Sequence, residues 1–184
     1  MRSLLAPTLA LALTPALASA QECRLAFTVE VTQGAGDIRP GETLTGQAAF
    51  RTTGRDLPGE AGITVHLATG DMTLDPDIRG ELWAVVTTSG NPVADLIAVH
   101  ARDVEGFTVA GLRYAGPMTI TLYGHPGTLL APVIPTAQPA WDAMTLSRRF
   151  ALHAQGYDRV AGDVTALTVA CDPPTLIDSR AESP

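Results

Sequence analysis

The stretch from Arg24 to Thr32, RLAFTVEVT, alternates without a break. Leu25, Phe27, Val29 and Val31 fall on one side of an extended chain, and Ala26, Thr28, Glu30 and Thr32 on the other. Period two over this length is the signature of a strand with one face buried and one face in water. The pattern repeats from Thr43 to Thr52, after a turn around Pro40 and Gly41, with Leu44, Gly46, Ala48 and Phe50 inward. Two amphipathic strands joined by a short turn set the expectation for the rest of the chain.

Outward from this pair the same texture continues. Gly59 to Gly62 breaks the chain before a strand at Ile63 to Thr69, and Gly70 to Asp77 reads as a polar loop. Arg79 to Thr88 is expected to be a strand carrying Trp83 and Val85 into the core, with Leu82 a further candidate, followed by a turn from Ser89 to Pro92. Ala94 to Arg102 is apolar enough for a buried strand or a short helix, and so short a run leaves both open. Phe107 to Tyr114 and Met118 to Tyr123 read as two strands parted by Ala115, Gly116 and Pro117. Arg148 to His153 and Val160 to Cys171 bring the count to about nine. Short strands punctuated by Gly and Pro, without an amphipathic helix, predict an all-β domain with little helix. The expected architecture is a single β-sandwich, with a small β-barrel as the alternative.

The ends of the chain carry a second message. Residues 1–20 read MRSLLAPTLALALTPALASA. Arg2 supplies the positive start, Leu4 to Leu17 an apolar core, and Ala18, Ser19 and Ala20 an A-x-A cleavage site, so the expected mature chain begins at Gln21. The apolar run is too short for a membrane span, and Pro7 and Pro15 interrupt it. The pattern is therefore that of a signal peptide, and the expected location is periplasmic or secreted. Cys23 and Cys171 are the only cysteines. In an exported chain two cysteines most simply form one disulfide, here between the start of the first strand and the end of the last. Closing a loop of about 150 residues contributes about 5 kcal/mol in the chain-entropy treatment. Residues 21–171 then form the domain, and 172–184 a flexible C-terminal tail.

Composition removes several functions. There is no Lys, so a phosphate-binding Walker lysine, a Schiff-base lysine and a Ser-Lys dyad are excluded. Once Arg2 leaves with the leader, 11 arginines face 19 acidic residues, a net charge of −8. That balance argues against nucleic acid and anionic membranes as partners. The mature chain has no further segment long and apolar enough to be an integral membrane helix. Nine aromatics are too few for the girdles of an outer-membrane barrel.

Candidate chemistry is sparse. His66, His100, His125 and His153 lie in or beside strands, without H-x-H or H-E-x-x-H spacing. In phase, His66 falls opposite Ile63, Val65 and Leu67 and is expected to face solvent. Asp71, Asp75 and Asp77 sit together in the acidic loop and could offer oxygen ligands to calcium, although Asp and Pro are also ordinary turn formers. No serine lies in G-x-S-x-G. No motif calls for a cofactor. From His125 to Ala140 the chain holds Pro126, Gly127, Pro132, Pro135 and Pro139. So long a connection is either functional or a wide crossover between two sheets of a sandwich. Trp141 at its end, with Tyr123 and His125 at its start, forms the candidate binding surface. Trp141 has a second available role, packing the loop onto the domain.

These readings leave three functions in play. The first is a binding or interaction module for a protein or small ligand. The second is a secreted hydrolase acting on an envelope polymer or small ester. The third is a structural subunit of an envelope assembly that offers an edge strand. The disulfide expectation is open to direct test: the exported protein, unfolded without reductant, should contain no alkylatable thiol, and two alkylated cysteines would refute it.

Overall fold

The computed structural model describes residues 20–53, 55–56, 61–69, 72–86, 94–101, 108–109, 112–154, 156 and 158–173; for 69, 72–80, 83, 108–109 and 112–115 it describes the backbone. Residues 1–19 of the expected leader, and 174–184 of the expected tail, lie outside the described residues. Among the described residues are nine strands: β1 (Gln21–Gln33), β2 (Thr43–Thr52), β3 (Ala61–Thr69), β4 (Met72–Val85), β5 (Asp95–Ala101), β6 (Thr108–Val109), β7 (Leu112–Gly124), β8 (Ser147–Ala154) and β9 (Arg159–Cys171). The helix α1 is five residues long, Gln138–Asp142. The chain is all-β, as the alternation predicts.

The strands close into a barrel. Each pairs antiparallel with its neighbour in the chain, β5 pairs with β7 across the small β6 hairpin, and β1 pairs with β9. Eight strands thus form a continuous ring, with β6 added to β7 as the ninth. This is the second of the two expected architectures rather than the sandwich. Alternation looks the same in both, because each buries one face of every strand. What separates them is the β1–β9 and β5–β7 pairings, which periodicity does not encode. The reading of Ala94 to Arg102 resolves as a strand, β5.

Inward residues fill the barrel. Leu25, Phe27, Val29 and Val31 of β1 are buried, as are Leu44, Ala48 and Phe50 of β2, all on the faces expected from the sequence. In β4 Leu82, as expected, and Ala84 are buried, and Val85 is half-buried. Trp83 lies opposite Ala98 of β5, and its side chain lies outside the described residues. Arg24, Glu30, Gln47, Arg51, His66 and Arg149 stand exposed on the outer wall. Charged and polar side chains such as these are not those of a lipid-facing band. Glu22 with Arg51 at 3.0 Å and Arg149 with Asp163 at 2.7 Å are cross-strand ion pairs on that wall. Being solvated, each contributes at most about 1 kcal/mol.

Two prolines that looked like chain breaks lie inside strands. β4 runs through Pro76: Val65 faces Ile78 and Leu67 faces Leu74, so Asp75, Pro76 and Asp77 bulge opposite His66. β7 runs through Pro117: Tyr114 faces Ala154 and Met118 faces Leu152, so Ala115, Gly116 and Pro117 bulge opposite His153. Proline lacks an N–H for the ladder, and a bulge is where a strand has none to offer. Gly116 takes φ +65°, which a side chain would resist. The expected polar loop from Gly70 to Asp77 is thus largely strand, and the expected strand Phe107 to Tyr114 divides between β6 and the start of β7, which continues through Pro117 to take in Met118 to Tyr123.

Close packing at one cross-strand pair fixes the ring's interior. Phe27 faces Gly46 across β1 and β2, and a Cβ at position 46 would stand 2.0 Å from the Phe27 ring. The absent side chain lets Phe27 lie flat over β2 and reach Phe150, ring centroids 6.4 Å apart. Gly46→Ala should therefore overpack the barrel and cost about 1–3 kcal/mol. Combining it with Phe27→Leu should recover part of that loss. Thermal melts of both variants check this, and a Gly46→Ala melt equal to the wild type would contradict it.

Candidate functional site

One end of the barrel gathers the start of β1, the end of β9 and the β7–β8 connection, and the cysteines and the candidate binding residues Tyr123, His125 and Trp141 lie there. Cys23 and Cys171 face each other across the β1–β9 pair and are joined, as expected. Cys23 is also opposite Phe50 of β2. Phe50 carries the ring of Trp141, centroids 6.4 Å apart. Trp141 is 1% exposed. It is not a surface residue; it takes the packing role. Its indole N–H, which needs a partner once buried, donates to the Pro135 carbonyl at 2.9 Å.

The long connection is a stopper rather than a crossover. β7 and β8 are neighbours in the ring, so nothing has to cross. Residues 125–146 instead fold over the barrel mouth and bury Leu129, Ile134, Trp141 and Met144 in the same core as the strands. Three polar tethers hold them. Asp95, inward-facing at the start of β5 and fully buried, accepts the Leu129 N–H at 2.8 Å. Arg148 donates to the carbonyls of Met144 at 2.9 Å, Trp141 at 3.1 Å and Asp142 at 3.0 Å, covering the C-terminal end of α1. Gln138 reaches β9, where its Oε1 accepts the Val169 N–H and its Nε2 donates to the Leu167 carbonyl at 3.1 Å.

The third tether answers a gap in the wall. β8 pairs with β9 only as far as Asp163, opposite Arg149, while β9 runs on to Cys171. The amide of Gln138 supplies one donor and one acceptor to the uncovered stretch, as a neighbouring strand would. Sequence reading missed Asp95, Gln138 and Arg148. Their signal is faint: a Gln-Pro at a helix start, a lone Asp at the start of β5 and the first of two arginines at the start of β8.

Around the stopper lies an apolar rim. Tyr123 is 39% exposed, Leu146 46%, and Leu130 fully. Tyr123 sits in register with Leu96 of β5 and Ser147 of β8, and its carbonyl accepts the Leu146 N–H at 2.9 Å. His125, exposed two residues on, turns the chain through its carbonyl and the Thr128 N–H at 3.0 Å. Of the expected trio, Tyr123 and His125 share the rim and Trp141 lies beneath it.

The remaining candidates are dispersed. His66, His100 and His153 lie on β3, β5 and β8, and His125 on the rim. Asp75 and Asp77 are in β4, in the bulge that faces His66, and Asp71 lies outside the described residues. Among the described residues no three His, Cys, Asp or Glu side chains converge on a metal position. A shallow groove of 390 Å³ crosses the outer wall of β9, β1, β2 and β3 over Ala26, Ala49 and Ala170, beside Arg24 and His66. At the end of β2, partial burial pushes the Asp56 carboxyl up. The Thr52 hydroxyl, the Thr53 N–H and hydroxyl, and its own N–H outweigh that and hold it below the ordinary range.

No family model, curated protein or solved structure matches the chain. The stopper and its rim therefore have to be read from their own chemistry. Asp95→Ala would leave the buried Leu129 N–H without its acceptor, an expected loss of about 1–3 kcal/mol. Hydrogen exchange should show the Leu129 amide opening before the barrel strands, and Asp95→Asn, which keeps a carbonyl acceptor, should cost less. Unchanged Leu129 protection in Asp95→Ala would remove Asp95 as a tether.

Proposed function

We propose that the chain is an exported binding or interaction module, periplasmic or secreted, that meets its partner with the rim of the stoppered end. The observation that carries this reading is the placement of exposed apolar side chains. Among the described residues the exposed large hydrophobics are Tyr123, Leu130 and Leu146, and all three belong to the end of β7 and the connection to β8. Isolated apolar residues scattered over a surface need no explanation, but three confined to one strand end and the ordered connection that follows it do. Leu130 in particular has no packing role, since it is wholly in solvent.

Export is supported by two features. The leader pattern in residues 1–20 ends in a cleavage signal. The Cys23–Cys171 disulfide suits an oxidising compartment. An eight-stranded barrel either fills its interior with side chains or holds one small ligand there. Here Trp141, Leu129 and Met144 occupy the mouth and are tied to β5 and β9. A partner is therefore met on the outside, on a rigid scaffold that presents a loop.

The test uses a photoreactive side chain in place of Leu130 in the exporting cell. Gln47, on β2 and four strands from β7 in either direction around the ring, serves as the control position. A discrete adduct is expected from 130 and not from 47. Adding Tyr123→Ser and Leu146→Ser, with the melting temperature retained, should reduce it by about tenfold or more. Equal adducts from both positions, or one that ignores the double variant, would sink the reading.

A further inference from the structure

We propose that Gln21 is a modification site: once the leader is removed, its α-amine closes onto its own side-chain amide, and the mature chain begins with a pyroglutamyl ring. This rests on the leader reading above. Cleavage after Ala20 leaves glutamine as the first residue, and glutamine is the residue type whose side chain can be attacked by its own amine to close a five-membered lactam. The neutral α-nitrogen attacks Cδ, the N–Cδ bond forms and the Cδ–Nε2 bond breaks. A proton passes from the attacking nitrogen to the departing one, and ammonia leaves. No oxidant, reductant or second substrate enters the balance. An α-amine has its ordinary pKa near 8, so a useful fraction is neutral at about pH 7.

The structure makes position 21 a suitable place for this ring. Gln21 is the first residue of β1 and the partner of Thr52 of β2, and it stands two residues before the seam cysteine Cys23. Its environment is half-buried, with the side-chain Nε2 donating to the Asp172 carbonyl at 3.1 Å. Asp172 in turn donates its N–H to the Glu22 carbonyl at 2.8 Å. All five ring atoms come from one residue, so closure leaves the ladder from Glu22 onward as it is. One exposed hydrogen bond, from Nε2 to Asp172, is given up. In exchange the end loses its positive charge and its free amine, which is what an aminopeptidase must hold to begin digesting β1 from the seam.

The test uses the full chain with its leader, exported by a bacterial host. The protein is collected cold at about pH 5, where the amine is protonated and cannot close during handling. After reduction and alkylation, its intact mass should correspond to residues 21–184 with two alkyl groups on Cys23 and Cys171, less about 17 Da, the mass of ammonia. Aminopeptidase should leave it untouched until a pyroglutamyl peptidase has removed the ring. Gln21→Ser, which cannot cyclise, should show the full mass and be digested directly. A mature chain that begins at Gln21 with full mass and a free amine overturns the inference and leaves the leader reading standing. A chain that begins at any other residue overturns both.

Discussion

The pairing of β1 with β9 is the constraint on which the rest of the molecule depends. Without it the strands would form an open sheet with two bare edges, each a row of unpaired N–H and C=O groups. With it the ring closes, and every inward face turns toward one interior. The pair also joins the ends of the domain, so its contacts are among the longest-range in the chain. Cys23 and Cys171 are separated by 148 residues and lie directly opposite in the ladder. The disulfide therefore acts where loop-closure entropy is greatest, by limiting the unfolded chain. Register shifts between Thr28 and Val29 and between Val31 and Gln33 lie in this same seam. Bulges sharpen local twist and bend, which helps a ring of eight strands to close.

Closure leaves a mouth, and the stopper follows from it. The last inward residues at the disulfide end, Phe50 among them, would meet water if nothing covered them. The β7–β8 connection covers them with Leu129, Ile134, Trp141 and Met144. Ordering such a connection costs conformational entropy at every residue, more than four buried side chains would offset unaided. The polar tethers narrow that difference in a specific way. Asp95, Arg148 and Gln138 each satisfy backbone groups that the stopper or the β8–β9 gap would otherwise leave unpaired. Prolines at 126, 132, 135 and 139 help from the other side, because they reduce the freedom the unfolded connection has to lose.

The legible part of this fold is the part set by local chemistry. Alternation in RLAFTVEVT and in Thr43 to Thr52 identifies the inward residues one by one, and all seven of those with side chains beyond Gly are buried. The cysteine pair was readable because export and cysteine count allow one simple solution. Barrel against sandwich was not, since the choice lies in which strands pair at long range. Pro76 and Pro117 misled for a physical reason: proline stops a ladder locally, and a bulge lets the strand resume after it. At the candidate site the rim was half legible. Tyr123 and His125 sit where a loop leaves a strand, and loops are exposed by default. Trp141 read as either surface or packing, and only the position of Phe50 beneath it decides between them. Gln138 was beyond reach, because its role exists only where β8 falls short of β9.

The same geometry explains why the rim can be apolar on a domain whose walls are polar. Apolar side chains projecting from a mobile loop would collapse onto the nearest core and be lost to a partner. Here the core beneath is already filled by Trp141 and Met144, and the chain on either side is fixed, by Asp95 to Leu129 and by Tyr123 to Leu146. Leu130 follows directly after a residue whose N–H is locked to a buried carboxylate, so its side chain is turned outward with no inward position to fall into. The tether that stabilises the stopper is thus also what holds an apolar residue in water. Binding there would require little further ordering of the loop, since folding has already met that cost.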